Sequence, residues 1–257
     1  MYTRDIVLTA LSLFVGILFC MEAGRLVGLS QIRKRKDQPP ASLPAVEGSV
    51  FGLMGLLIAF TFSSAAARFE ARRQILVQEA AAIGTAWRRG DLLPETRQGD
   101  FKDCLRKYVD TQIAFTRAVA NGDLDREAIL RAKELQRKMW AEAVSASKEG
   151  MSPAAAGMVL GSMNAISEMG TVRLAAAENH LPLLIRAMLI VLPLICAVMA
   201  GMSTSQRPQR SWLHMFGFAA IIAITIYVIL DLEYPRAGLI RLDKFDQATV
   251  ELRKSME

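Results

Sequence analysis

The chain has 257 residues, 52% hydrophobic and 22% charged, with a formal net charge of +6. A purely soluble domain seldom needs so much apolar residue, and a pure membrane bundle seldom carries so much charge, so the composition excludes both as a description of the whole. Nucleic acid is excluded as a partner too: it needs a basic face, and between Arg68 and His180 bases and acids are interleaved in nearly equal number.

The first apolar span runs from Ile6 to Leu29 after a short head. It is too long for a signal-peptide core, and no small-residue cleavage site follows, so it is expected to stay. Glu22 and Arg25 near its end lie three residues apart on one helix face, as an interfacial ion pair or, in a sharper reading, with Glu22 at the mouth of a conduit. Ser30 to Pro44 reads as a loop. Its run Arg33–Lys36 is a topology signal, and Pro39, Pro40 and Pro44 stop a helix from crossing it.

The second span starts at Val46. After Glu47 come about twenty largely apolar residues, enough to cross a bilayer core, and then the bases Arg68, Arg72 and Arg73. No Pro or Gly interrupts Ala59 to Ile83, so one helix is expected to leave the membrane unbroken. Two faces compete on it. Gly48, Gly52, Gly55, Ala59, Ser63 and Ala66 form a small-residue stripe that permits close helix approach. Leu53, Leu56, Phe60, Ser64 and Ala67 form a bulkier flank. Pattern alone leaves open which of them packs on a helix and which lines a pore, or whether both pack.

Four helical segments follow. Leu76, Ala80, Ile83 and Trp87 give the end of the second helix an apolar seam, which Asp91-Leu92-Leu93-Pro94 breaks. Phe101, Leu105, Tyr108, Gln112, Phe115 and Val119 mark the next helix, with Gln112 its one polar seam member, and Asn121-Gly122 ends it. Asp123 is the expected N-cap of a third, with Ala128, Ala132, Leu135 and Met139 as its seam. Ser152-Pro153 reads as N-cap and first-turn proline of a fourth, reaching about Asn179 with Val159, Met163, Ile166 and Gly170 on one face. The methionines around it are read as adaptable core packing rather than a ligand site.

The third span is Leu181 to Gly201, with Pro182 in its first turn and a kink expected at Pro193. The fourth is Trp212 to Leu232. A lone buried cation is costly in a membrane, so Arg186 either snorkels to the interface or pairs, and Asp231 and Glu233 at the same end of the bundle are the expected partners. The tail, with Leu239, Ile240, Leu242 and Phe245, is a short amphipathic segment.

The fold class is therefore all-α: a multi-pass membrane protein with four transmembrane helices and a helical soluble region between the second and third. The segments are 1–67, a first transmembrane hairpin; 68–180, the helical region continuous with the second span; 181–235, a second hairpin; and 236–257, the tail. Basic residues in the short loops, Arg33–Lys36 with Arg207 and Arg210, argue for cytoplasmic loops, while Arg68, Arg72, Arg73, Arg173, Arg236, Arg241 and Lys244 argue for the opposite side. Cys20, Cys104 and Cys196 lie far apart, with neither disulfide framework nor metal spacing. His180 and His214 have no partner at metal spacing, and no phosphate loop or nucleophile elbow is present. No enzyme, metal or cofactor is predicted.

The run Ile58-Ala59-Phe60-Thr61-Phe62, with Arg68 eight residues after Phe60, resembles the pore helix of bestrophin anion channels. The closer resemblance is to the bacterial bestrophin-like family of unknown function. It rests on Glu47-Gly48, Phe60–Ser63, Arg68–Arg73, Glu79–Ala86, Asp91–Pro94 and Asp231–Ile240. The resemblance implies a homo-oligomer, pentameric in bestrophins, with the second span of each subunit around a central pore, in the bacterial inner membrane with the soluble region in the cytosol. By position, Phe60 matches a constricting aromatic and Leu56 the apolar residue one turn before it. Gly52 stands where bestrophins carry a bulky apolar residue. The animal calcium clasp has no equivalent, and calcium gating is not predicted.

The leading function is an oligomeric channel passing inorganic anions. Its pore would be lined by Leu53, Leu56, Phe60, Ser63 and Ser64, with Arg68, Arg72 and Arg73 charging its mouth. Its expected partners are further copies of itself, membrane lipid and the anions. The rival is a non-conducting scaffold or sensor whose helical region docks a partner, and oligomeric state separates the two.

Overall fold

The computed structural model describes residues 2–34, 44–120, 126–205, 212–234, 239–240 and 243–257. These residues form eight α-helices and no strand: α1 (Tyr2–Lys34), α2 (Pro44–Arg89), α3 (Glu95–Ala120), α4 (Arg126–Ser147), α5 (Pro153–Glu178), α6 (Leu183–Thr204), α7 (Trp212–Glu233) and α8 (Asp243–Lys254), with a 3-10 turn at Gly90–Leu92. Four of them, α1, α2, α6 and α7, are long and apolar enough to cross a membrane. The fold is thus all-α with four candidate spans, and α2 carries its span and the start of the helical region in one unbroken helix of 46 residues.

The local signals act as their chemistry requires. Pro44 opens α2, where its missing N–H is no loss. Ser152 caps α5, its hydroxyl accepting from the Ala155 amide at 3.2 Å, with Pro153 as the first helical residue. Gly90–Leu92 turns the chain out of α2 ahead of Pro94. Pro193 is accommodated inside α6, which continues from Leu183 to Thr204. The loop expected from Ser30 starts later, because α1 continues through Ser30 to Lys34; residues 35–43, the expected caps at Asn121-Gly122 and Asp123, Arg207, Arg210, and the tail residues Arg236, Arg241 and Leu242 lie outside the described residues.

The chain divides into two compact units, Met1–Ala67 with His180–Tyr234, and Arg68–Asn179 with Pro235–Glu257. In the first, α1 packs on α6 and α7. Its core joins Leu13, Ile17 and Met21 of α1 to Cys196 and Ala197 of α6, Ala219, Ile222 and Ile226 of α7, and Met54 of α2. The backbones of α1 and α6 touch. A Cβ at Gly24 would run into the Val198 carbonyl, and one at Gly201 into the Met21 carbonyl. Close approach of this kind is how helices gain van der Waals contact in lipid, where the hydrophobic effect between them is lost.

In the second unit the seam residues Phe101, Leu105 and Tyr108 of α3 have no exposed surface. They pack with Ile83 of α2, Met139 and Ala143 of α4, and Val159 and Ile166 of α5. Met256, beyond α8, is equally buried and joins the same core. The tail is thus held by Leu252 and Met256, together with the Arg253–Asp110 ion pair at 2.8 Å, while Leu239 is exposed.

Candidate functional site

The membrane half of α2 turns one face into its own unit. Met54, Thr61 and Ala65 are buried, with Val50, Phe51 and Ile58 partly so beside them. Thr61 has no free hydroxyl there, because it donates to the Leu57 carbonyl at 2.6 Å. This is a third face, neither of the two that competed in the sequence. The glycine stripe is open: a Cβ at Gly48, Gly52 or Gly55 would meet nothing within 4 Å. The bulky flank is open too. Leu53 is 54% exposed, Leu56 52% and Phe60 67%, and Ser63 and Ser64 are exposed beyond them.

The three arginines that follow have different surroundings. Arg72 donates from Nε to the Ala176 carbonyl at 3.1 Å and from Nη2 to the Asn179 carbonyl at 2.7 Å. It thereby meets the C-terminal end of α5, where carbonyls lack helical partners and the dipole is negative. Arg73 pairs with Glu70 at 3.0 Å. Arg68 is half-buried.

About two turns further on, the second unit holds a buried polar network that the seam pattern did not reveal. Glu79 is buried and pairs with Arg173 of α5 at 3.4 Å. The Tyr108 hydroxyl donates to the other Glu79 oxygen at 3.4 Å and accepts from Gln136 of α4 at 3.1 Å. Burial first, and then the Glu79 charge, push the Tyr108 hydroxyl up to about 12. Gln112, the polar seam member, is buried on the same helix. An acid interrupting the Leu76–Ala80–Ile83 seam was the available signal. Its partners come from three other helices, which no local pattern connects.

In the first unit, Asp231 and Glu233 at the end of α7 are buried. Glu233 accepts from the Leu181 amide at 3.1 Å and lies 3.9 Å from His180 Nδ1. His180 stacks on Tyr234, with ring centroids 5.1 Å apart. Arg186 donates to the Tyr234 hydroxyl at 3.4 Å. His180 and Tyr234 therefore join the three charges expected at this end. Near the opposite end of α6, Ser203 donates to Glu47 at 2.5 Å. Among the described residues no group of His, Cys, Asp and Glu is arranged to hold a metal.

The model of the bestrophin-like domain matches residues 18–244. The chain belongs to the bestrophin-like family. Its four apolar helices and this membership make it a membrane protein. A solved bacterial bestrophin homolog from Klebsiella pneumoniae has the same fold at 11% identity, with a TM-score of 0.65 over 93% of this chain and 98% of that one. A variant of that homolog superposes with a TM-score of 0.67 at 12% identity, over 94% and 98% of the two chains. A structure described only as a membrane protein matches at 12% identity and a TM-score of 0.65, over 98% of each. No curated protein matches the sequence. The segment matched by the bestrophin-like model contains the exposed α2 flank, the arginine run and the buried end of α7.

Proposed function

We propose that this bestrophin-like protein is one subunit of an oligomeric membrane channel that conducts anions, with α2 of each copy around a central pore. The observation that carries this reading is the uncovered flank of α2, where three large apolar side chains stand free of the protomer while the opposite face packs inside it. A run of Leu53, Leu56 and Phe60 repeated around an axis makes an apolar constriction that gates by dewetting. Ser63 and Ser64 then offer hydroxyl donors to a partly dehydrated anion. Arg68, Arg72 and Arg73, repeated in each copy, raise the local anion concentration at the mouth. Arg72 does so from α2 while held by the carbonyls at the C-terminal end of α5, and Arg73 with its charge shared with Glu70. A five-fold assembly in the bacterial inner membrane, with the helical unit in the cytosol, accords with the family.

Anion flux from liposomes tests the proposal. Phe60→Ala is expected to raise flux by widening the constriction. Arg68→Glu is expected to lower it on the order of tenfold at low salt, and less at high salt as the charge is screened. Flux no greater than from empty vesicles, in several salts and from both faces, would sink the reading.

A further inference from the structure

Between α4 and α5 the soluble unit holds an open cleft of about 540 Å³. Its floor is apolar and includes the fully buried Ile166. Lys133 and Arg137 stand one helical turn apart on the α4 wall, and Trp140 follows on the same helix with 41% of its surface exposed. Asn164 and Ser167 line the α5 wall. The lining thus carries two cations, an indole and three neutral hydrogen-bonding side chains, with Gln136, whose amide already donates to Tyr108, beside Asn164 and Ser167, and no acid.

That charge balance is local. Elsewhere in the unit cations meet acids: Arg97 pairs with Glu142 and Glu149, Lys138 with Glu134, and Arg253 with Asp110. Among the described residues neither Lys133 nor Arg137 has an acid within salt-bridge distance, although the Arg137 charge also acts on Glu134, the partner of Lys138. An apolar floor with a few convergent polar groups is the usual make-up of a small-molecule site. A guanidinium and an ammonium one helical turn apart suit a carboxylate or phosphate, and a partly exposed indole suits a flat ring.

The geometry points to a binding site for a small aromatic anion, its ring on Trp140 and its charged group between Lys133 and Arg137, with Asn164 and Ser167 donating from the facing helix. The site stands independently of conduction. A phosphate and a carboxylate share the chemistry of recognition, and the test separates them.

Phenyl phosphate, benzoate and inorganic phosphate are titrated separately into the protein in detergent, with tryptophan fluorescence as the readout. The expected result is a saturable change with phenyl phosphate or benzoate, the tighter of the two identifying the charged group. Trp140→Phe removes the signal, and the double variant Lys133→Gln/Arg137→Gln moves the midpoint at least about tenfold higher. No saturable change with either aromatic anion, or one that the double variant leaves unaltered, overturns the proposal. So does inorganic phosphate binding as tightly as phenyl phosphate, which removes the aromatic half. A double variant that alters the particle mass in solution also overturns it, by identifying the cleft as a face between copies.

Discussion

Tyr108 has no exposed surface, and its hydroxyl lies between Glu79 and Gln136. Losing it leaves the buried Glu79 carboxylate and the half-buried Gln136 amide each one partner short, at a cost of about 1–3 kcal/mol. Tyr108→Phe is therefore expected to lower the unfolding midpoint of the protein near neutral pH. The same residue predicts an alkaline limit. Its folded-state pKa of about 12 lies above the ordinary 10, so the folded chain keeps this proton at a pH where the unfolded chain has released it. The associated stability is fully present below pH 10 and is lost as pH rises toward 12, up to about 3 kcal/mol. Thermal melts across that window check the sign: the wild type should lose stability more steeply than Tyr108→Phe. Equal slopes would show that another group carries the alkaline loss.

At the scale of elements, glycines with the same side chain have different roles. Gly201 of α6 and Gly24 of α1 lie where two helix backbones touch, while Gly52 and Gly55 of α2 face open space. A valine at 201 meets the Met21 backbone carbonyl, which cannot rotate away as a side chain does. Gly201→Val should cost at least the ~1–3 kcal/mol of ordinary overpacking and lower the melting temperature in detergent. Gly52→Val should leave the protomer intact by the same measurement, because nothing in the protomer meets a Cβ there, and under the proposed channel reading it acts on flux instead. A melt lowered equally by both would contradict this division. Met256 belongs to the second unit's core with no exposed surface, so Met256→Ala is expected to cost about 2–5 kcal/mol. That loss would be read as earlier proteolysis of the helical unit.

For the whole molecule, the decisive quantity is the number of copies. A single chain leaves the α2 flank and its glycine stripe uncovered together, over a stretch of some five helical turns. Light scattering in detergent is expected to give a particle of several copies, and a stable monomer would leave no symmetric pore and favour the scaffold. Much of this architecture is legible in the sequence. The four spans follow from hydropathy, and the seam Phe101–Leu105–Tyr108–Gln112 follows from helical spacing in a helix with polar residues on its other faces, so that the apolar side turns inward. Spacing fails in α2 because lipid, protein and pore all accept apolar residues, so periodicity does not name the packed face. Arg72 was equally illegible as a ligand of the α5 carbonyls, since its partners lie more than a hundred residues away in the chain.

By itself the sequence determined the all-α class, the four spans, the unbroken second helix and the family, all of which depend on local composition or on motifs read along the chain. Only the tertiary structure decided that α2 packs through Met54, Thr61 and Ala65, that the backbone contact belongs to α1 and α6, and that Glu79 gathers Tyr108 and Arg173. Each of these depends on which distant surface fills a given face. Shape complementarity between helices sets that, and hydropathy does not encode it.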